Sequence, residues 1–242
     1  MTFSFTGVFA DAGAMWRSER DVLLRVAAVF LFLPSLAAQL FLPPPDLAKA
    51  DTREAMADAI MTWFGTWGGW FVLELIVVTY GAGVLLVLLL ERSRPTVGEA
   101  LIRALRLLPS LLIAWTCVLF LVSLGSMLLI VVAFYVGGRL LLVGPVVVAE
   151  PGRGPFLALI DGIRLSAWRG WLLSAVAILT VAAGQAAQLV PGMLIGALTA
   201  SGNAQPLLLA PLEILSAAAA AAGWLGLVLV QAAAYRLIKQ GT

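Results

Sequence analysis

The sequence predicts an all-α, polytopic membrane protein, and three observations predict it. Charged residues make up 12% of the chain against 62% hydrophobic ones, with a mean hydropathy of +1.04; a soluble domain carries roughly 25% charged residues. Apolar runs recur at about the 20-residue length that crosses the hydrocarbon of a bilayer. Most of the 15 basic residues fall on one side of a membrane if the chain crosses it six times. The period-two alternation of a transmembrane barrel is absent.

The N-terminal stretch places Phe5, Phe9, Ala12 and Trp16 along one helical stripe, the pattern of a helix lying in the membrane interface. Asp11, Arg17, Glu19, Arg20 and Asp21 precede the first apolar run, residues 22–42. That run is long enough to span and reads as a retained helix, not a cleaved signal, with Pro34 as its kink. Residues 43–66 read as an extracytoplasmic helical insertion after three prolines, with Asp46 near its N-cap. Trp63, Trp67 and Trp70 share a face and mark the outer interface.

The second span covers residues 67–90. Residues 95–109 then form an amphipathic helix with Val97, Leu101, Leu105 and Leu108 on one face and Glu99, Arg103 and Arg106 on another. Thr96 and Glu99 have capping-box spacing, and Glu99 with Arg103 makes a favourable i,i+4 pair. Residues 107–149 carry one charge, Arg139, and suit a hairpin of two spans turning near the small residues at 123–126. Residues 155–170 are again amphipathic, with Asp161 and Arg164 polar and Gly170 as the stop. The fifth span covers 171–198. The sixth covers 207–238, entered through Pro206 and Pro211.

An order emerges from these elements: an interfacial helix, a span out and a span back, three times. The repeat units are residues 3–90, 95–149 and 155–238 of a single integral membrane domain, 1–242. Their junctions read RDVLL, LPSLL and RGWLL. Arg17, Arg20 and Arg25, then Arg92, Arg94, Arg103 and Arg106, then Arg153, Arg164 and Arg169, then Arg236 and Lys239 all fall on one side. Lys49 and Arg53 alone fall on the other, so both termini are expected in the cytoplasm. The net charge of +2 is explained by this topology and does not point to nucleic acid.

The chain contains no histidine, which removes Ser-His-Asp and Cys-His catalysis, histidine-ligated metals and histidine proton relays. Its one cysteine, Cys117, reads as a small apolar residue. GRGP at 152–155 lacks the lysine and the preceding strand of a phosphate loop. No cofactor and no metal are expected. Gln39, Gln185, Gln188 and Gln231 are placed to join helices by hydrogen bonds, and Gly223 and Gly226 to let helices approach closely.

Three ionisable residues fall within spans, each on a returning one: Glu74, Arg139 and Glu213. Intramembrane charge is costly and marks a candidate site with a partner to be named. Arg139 lies roughly 16 Å along its helix from Glu150, at about 1.5 Å per residue. Two readings stand. One is a polar site built by Arg139 and Glu74 with Glu213. The other is a structural ion pair, Arg139 with Glu74, or an arginine snorkelling to the interface. Gly137 and Gly138 fit either a close helix approach or a local break in the span.

Residues 139–171, RLLLVGPVVVAEPGRGPFLALIDGIRLSAWRGW, resemble the membrane domain found beside some bacterial glycerophosphodiester phosphodiesterases and the stand-alone YciC-like inner-membrane proteins of unknown function. The positions that carry the resemblance are Arg139, Leu140, Pro145, Glu150, Ala158, Leu159, Arg164, Leu165 and Gly170, with Gly162 where the pattern has serine. The resemblance implies a six-span bacterial inner-membrane protein and a cytoplasmic interface motif of Glu150, Arg164 and Arg169. It carries over no catalytic residues, because the phosphodiesterase chemistry belongs to a separate soluble domain that uses histidine. The expected function is a non-enzymatic membrane protein in envelope or lipid homeostasis, or a partner subunit of a membrane complex, in contact with membrane lipids. The alternative is a transporter or lipid-handling channel built around Arg139, Glu74 and Glu213. An intramembrane enzyme would have only Glu74 and Glu213 to work with.

Overall fold

The computed structural model describes residues 4–43, 51–91, 93–201 and 206–240. Asp46, Lys49 and Arg92 lie outside the described residues. All regular structure among those described is helical: α1 (Phe5–Ala27), α2 (Leu33–Phe41), α3 (Arg53–Leu90), α4 (Val97–Leu128), α5 (Ile130–Leu140), α6 (Val143–Ala149), α7 (Gly154–Leu165), α8 (Gly170–Ala200) and α9 (Pro206–Gln240). Six stretches are long and apolar enough to cross a membrane: Phe5–Phe41, Arg53–Leu90, Val97–Leu128, Ile130–Ala149, Gly170–Thr199 and Leu207–Gln240. Their outward faces carry side chains such as Phe41, Phe120, Leu189 and Met193, which a bilayer would cover.

Local chemistry explains several of the boundaries. Ser4 caps α1, accepting from the Gly7 N–H at 3.1 Å. A π-helical turn, Ala28–Phe32, joins α1 to α2 just ahead of Pro34. Proline has no N–H and its ring clashes with the carbonyl four residues back, so the wider turn absorbs the mismatch without ending the span. The expected amphipathic helix at the N-terminus and the first span are therefore one continuous rod. Likewise α3 starts at Arg53 under a Thr52 cap and runs 38 residues, about 57 Å. The stretch read as a separate insertion is, from Arg53 onward, the first turns of the second span.

The capping box at the start of α4 is formed. The Thr96 N–H donates to Glu99 Oε2 at 2.8 Å and the Glu99 N–H to Thr96 Oγ1 at 3.3 Å. Thr96→Ala is expected to destabilise the protein by about 1 kcal/mol, read as a lower unfolding midpoint in detergent, with Thr96→Ser near the wild type. The Glu99–Arg103 pair does not form; Arg103 pairs with Glu91 across the loop between α3 and α4. Helix α4 continues through Pro109 to Leu128. The hairpin turns at Leu129, where the backbone becomes extended (φ −158°, ψ 140°), and not at 123–126. Gly125 serves instead as the point where α4 touches α5, with the Ala133 Cα 3.0 Å from where a Cβ would stand.

The fourth span is broken. Leu141 and Leu142 form a turn between α5 and α6, and the Leu141 N–H donates to the Gly138 carbonyl at 3.3 Å. Pro145 cannot donate to the Leu141 carbonyl, which places the break. After Glu150 the chain reverses into α7, which packs back along α6: Gly162 lies against Val143. Helix α7 ends at Leu165, and Gly170 begins α8 instead of stopping α7.

The buried core gathers at one end of the bundle. It takes residues 78–89 of α3, the first turns of α4 (Ala100, Ala104, Leu111), α6, and α9 between Ser216 and Ile238. These are the halves of the spans nearest the basic loops. At the opposite end α3, α8 and the start of α9 expose apolar side chains such as Met61, Trp70, Val190 and Leu207. Helices α8 and α9 cross where Gly184 and Gly223 meet, each Cα within about 3 Å of the other residue's missing Cβ. Of the two glycines expected to allow close approach on α9, Gly223 does so, while Gly226 makes ordinary contact with Thr180.

Candidate functional site

Arg139 lies in the last turn of α5, two residues before the break in the fourth span. Its guanidinium is satisfied by three groups: Nε donates to Ser166 Oγ at 2.9 Å, Nη1 to Tyr135 Oη at 3.1 Å, and Nη2 to the Ile163 carbonyl at 2.9 Å. The Tyr135 ring also lies beneath it, 5.8 Å from Cζ to centroid. Ile163 and Ser166 form the C-terminal end of α7, where helix carbonyls lack partners and the dipole is negative. Ser166 is fully buried and its hydroxyl donates to the same Ile163 carbonyl at 2.9 Å. Arg139 is thus the cation that closes α7.

Two glycines make room for this arrangement. Gly170 lies under the arginine: a Cβ there would stand 2.7 Å from Arg139 Cδ and 3.2 Å from Tyr135 Oη. Gly138 lies against the backbone of Ser174 on α8, and the Ser174 hydroxyl bonds back to Gly170 at 2.8 Å. Both expectations for the glycine pair are met in part, because Gly138 makes the close approach and the break follows it.

The expected pairing of Arg139 with Glu74 is not formed. Glu74 sits half-buried on α3, and among the described residues its carboxylate makes no ion pair and accepts no hydrogen bond. Glu213 sits on α9, also half-buried. It meets Gln39 through its backbone: the Gln39 amide, oriented to satisfy both its groups, donates to the Glu213 carbonyl at 3.0 Å and accepts from the Ala217 N–H at 3.2 Å. The three intramembrane charges therefore stand on three helices and line none of the cavities described below.

A large cavity lies elsewhere among the described residues. A cleft of about 960 Å³ opens at the basic end of the bundle, between the loop joining α3 to α4, the end of α6 and the end of α9. Arg94, Arg103, Arg106, Arg236 and Lys239 line it, with Glu19, Glu91 and Glu150 as counter-charges. Its inner wall is apolar and comprises residues 87–90, Leu107, Val148 and Ala149. Arg103 is held by Glu91, and Lys239 by Glu150 at 3.0 Å; Arg236 stands 3.9 Å from Asp11. Arg94 and Arg106 have no ion pair among the described residues. Arg94 also has a left-handed backbone, φ 48°, which non-glycine residues adopt rarely.

Of the expected interface motif, Glu150 is central. It bridges Lys239 and Arg153, and Arg153 reaches on to Asp161 at 2.6 Å. The Asp161 hydrogen bond, with the Glu150 and Asp161 charges, holds Arg153 above the usual arginine range. Arg164 is exposed and Arg169 half-buried at the start of α8. The sequence marks the cleft arginines as topological charges, and Arg103 and Arg106 as the polar face of an amphipathic helix, but not as a shared site. The signal that could have found the site was their density: Arg94, Arg103 and Arg106 lie within 13 residues beside an amphipathic face.

Two apolar pockets also occur. One of about 430 Å³ lies between α1 and α9, and one of about 270 Å³ lies among α4, α5, α8 and α9 beside the break in the fourth span. Among the described residues no group of three or more Asp, Glu, Cys or His side chains is placed to hold a metal ion. No protein-family model, curated protein or solved structure matches the chain.

Proposed function

We propose that the chain is a non-enzymatic integral membrane protein of the bacterial inner membrane, acting in envelope or lipid homeostasis or as a partner subunit of a membrane complex. The observation that carries this reading is the fate of the intramembrane charges. Arg139 closes a helix of its own fold, and the two carboxylates that could have formed a catalytic pair sit on different helices, α3 and α9, and line none of the cavities described. The polar, open part of the molecule is the cleft at the basic end. The reading takes both termini to be cytoplasmic, in keeping with the positive charge gathered there. It also takes the chain as three units, supported by an amphipathic stretch ahead of each pair of spans. The resemblance of residues 139–171 to the membrane domain beside the phosphodiesterases points the same way.

Two measurements test it. In a Cys117→Ser background, Ser18→Cys should resist a membrane-impermeant thiol reagent added outside intact spheroplasts, while Thr66→Cys should react; the reverse pattern overturns the orientation. Affinity purification in mild detergent should return a reproducible protein partner or lipid class. Recovery of the chain alone sinks the proposed role.

A second reading, a lipid-handling channel, is favoured by the broken fourth span opening on the 270 Å³ apolar pocket, which Gln231 also lines. Proteoliposomes that move labelled lipid between leaflets no faster than empty vesicles would remove it.

A further inference from the structure

We propose that the cleft at the basic end binds the phosphate of an anionic phospholipid headgroup from the adjacent leaflet. This rests on the reading of the chain as a membrane protein, and it deepens that reading by naming a ligand. The argument begins with charge. Among the described residues five cations line the cleft against three carboxylates, and two of those carboxylates are already engaged, Glu91 by Arg103 and Glu150 by Lys239. Arg94 and Arg106 are left with no ion pair among the described residues. Two guanidiniums facing one cavity present planar forks of donors that match phosphate oxygens.

Shape and depth add to this. A volume of about 960 Å³ falls at the upper end of the range of small-molecule pockets. The wall behind the cations is made of the last turn of α3 and the end of α6, both membrane-spanning, so it leads from the charged rim toward hydrocarbon. A free phosphate would use the rim alone. An amphiphile uses both, its phosphate on the arginines and the first carbons of its chains along Leu89, Leu90, Leu107 and Val148. Basic pockets between spans at a membrane face are suited to such headgroups. The left-handed Arg94 is the local sign that the loop is held in an uncommon shape at the rim.

The test uses the full chain in detergent micelles containing equal amounts of phosphatidylglycerol and phosphatidylcholine, with retained lipid read by native mass spectrometry. Micelles have no sidedness, so an error in the proposed topology or cellular role leaves the result untouched. The native protein should retain phosphatidylglycerol about 10-fold over phosphatidylcholine. The double variant Arg94→Gln/Arg106→Gln should bring that preference to within about 2-fold, while Arg94→Lys/Arg106→Lys should keep much of it and report that the fold tolerates change there. Arg53→Gln, at the opposite end, should change nothing. Excess inorganic phosphate should not displace the lipid. Equal retention of both lipids by the native protein overturns the proposal, as does an equal loss in Arg53→Gln. Full displacement by inorganic phosphate overturns the lipid assignment in favour of a soluble phosphate.

Discussion

Gly138→Ala, a change of one methyl group, is expected to destabilise the protein by about 3 kcal/mol and to lower its unfolding midpoint in detergent. The added Cβ would fall on the backbone N and Cα of Ser174. A side chain in the way can rotate aside; a helix backbone cannot, so α5 and α8 must part. Parting them pulls Ser174 from Gly170 and Gly170 from Arg139. The neighbouring Gly137→Ala is the control. Its Cβ would meet only Val122 Cγ2, at the ordinary distance of 3.8 Å, and it should be neutral or gain up to about 1 kcal/mol from the better helix former. If both variants melt together, the close contact between α5 and α8 does not hold the bundle.

That contact shows what the sequence could and could not disclose. The six apolar stretches were legible because bilayer thickness demands a run of one length and composition. Helix ends were less so. The change from amphipathic to fully apolar at Leu108 alters what surrounds the helix and not its backbone bonds, so α4 runs on through Pro109. Small residues were ambiguous for a different reason. Turns and close helix crossings both call for them, and Gly125 belongs to a crossing while the turn at Leu129 has no glycine at all. Partner choice was the least legible. Carboxylates advertise themselves to an arginine in a sequence, whereas a backbone carbonyl such as that of Ile163 is carried by every residue. The cleft was hidden because it is assembled from four separated parts of the chain, Glu19 and residues near 87–107, 148–151 and 235–240.

Arg139→Leu should cost roughly 3 kcal/mol, because it leaves the polar groups it bonded without their donor inside a bilayer, where water cannot replace it. The loss follows from what an arginine supplies there. Its guanidinium offers five donors in a plane, and the structure uses that plane to join three elements: Tyr135 on its own helix, the Ile163 carbonyl at the end of α7, and Ser166 in the turn to α8. Arg139→Lys keeps the positive charge at the helix C-terminus but not the fork, so it should recover about half the loss. Double-mutant cycles separate this role from the ion pair first expected. Arg139 with Ser166 should show a coupling of about 1 kcal/mol, and Arg139 with Glu74 less than about 0.5 kcal/mol. A Glu74 coupling larger than the Ser166 one would mean that the arginine answers to a carboxylate after all. With the opposite ranking, the charge within the fourth span is there because α7 folds back beside α6 and ends inside the bundle, and an end of a helix placed there needs a cation to close it.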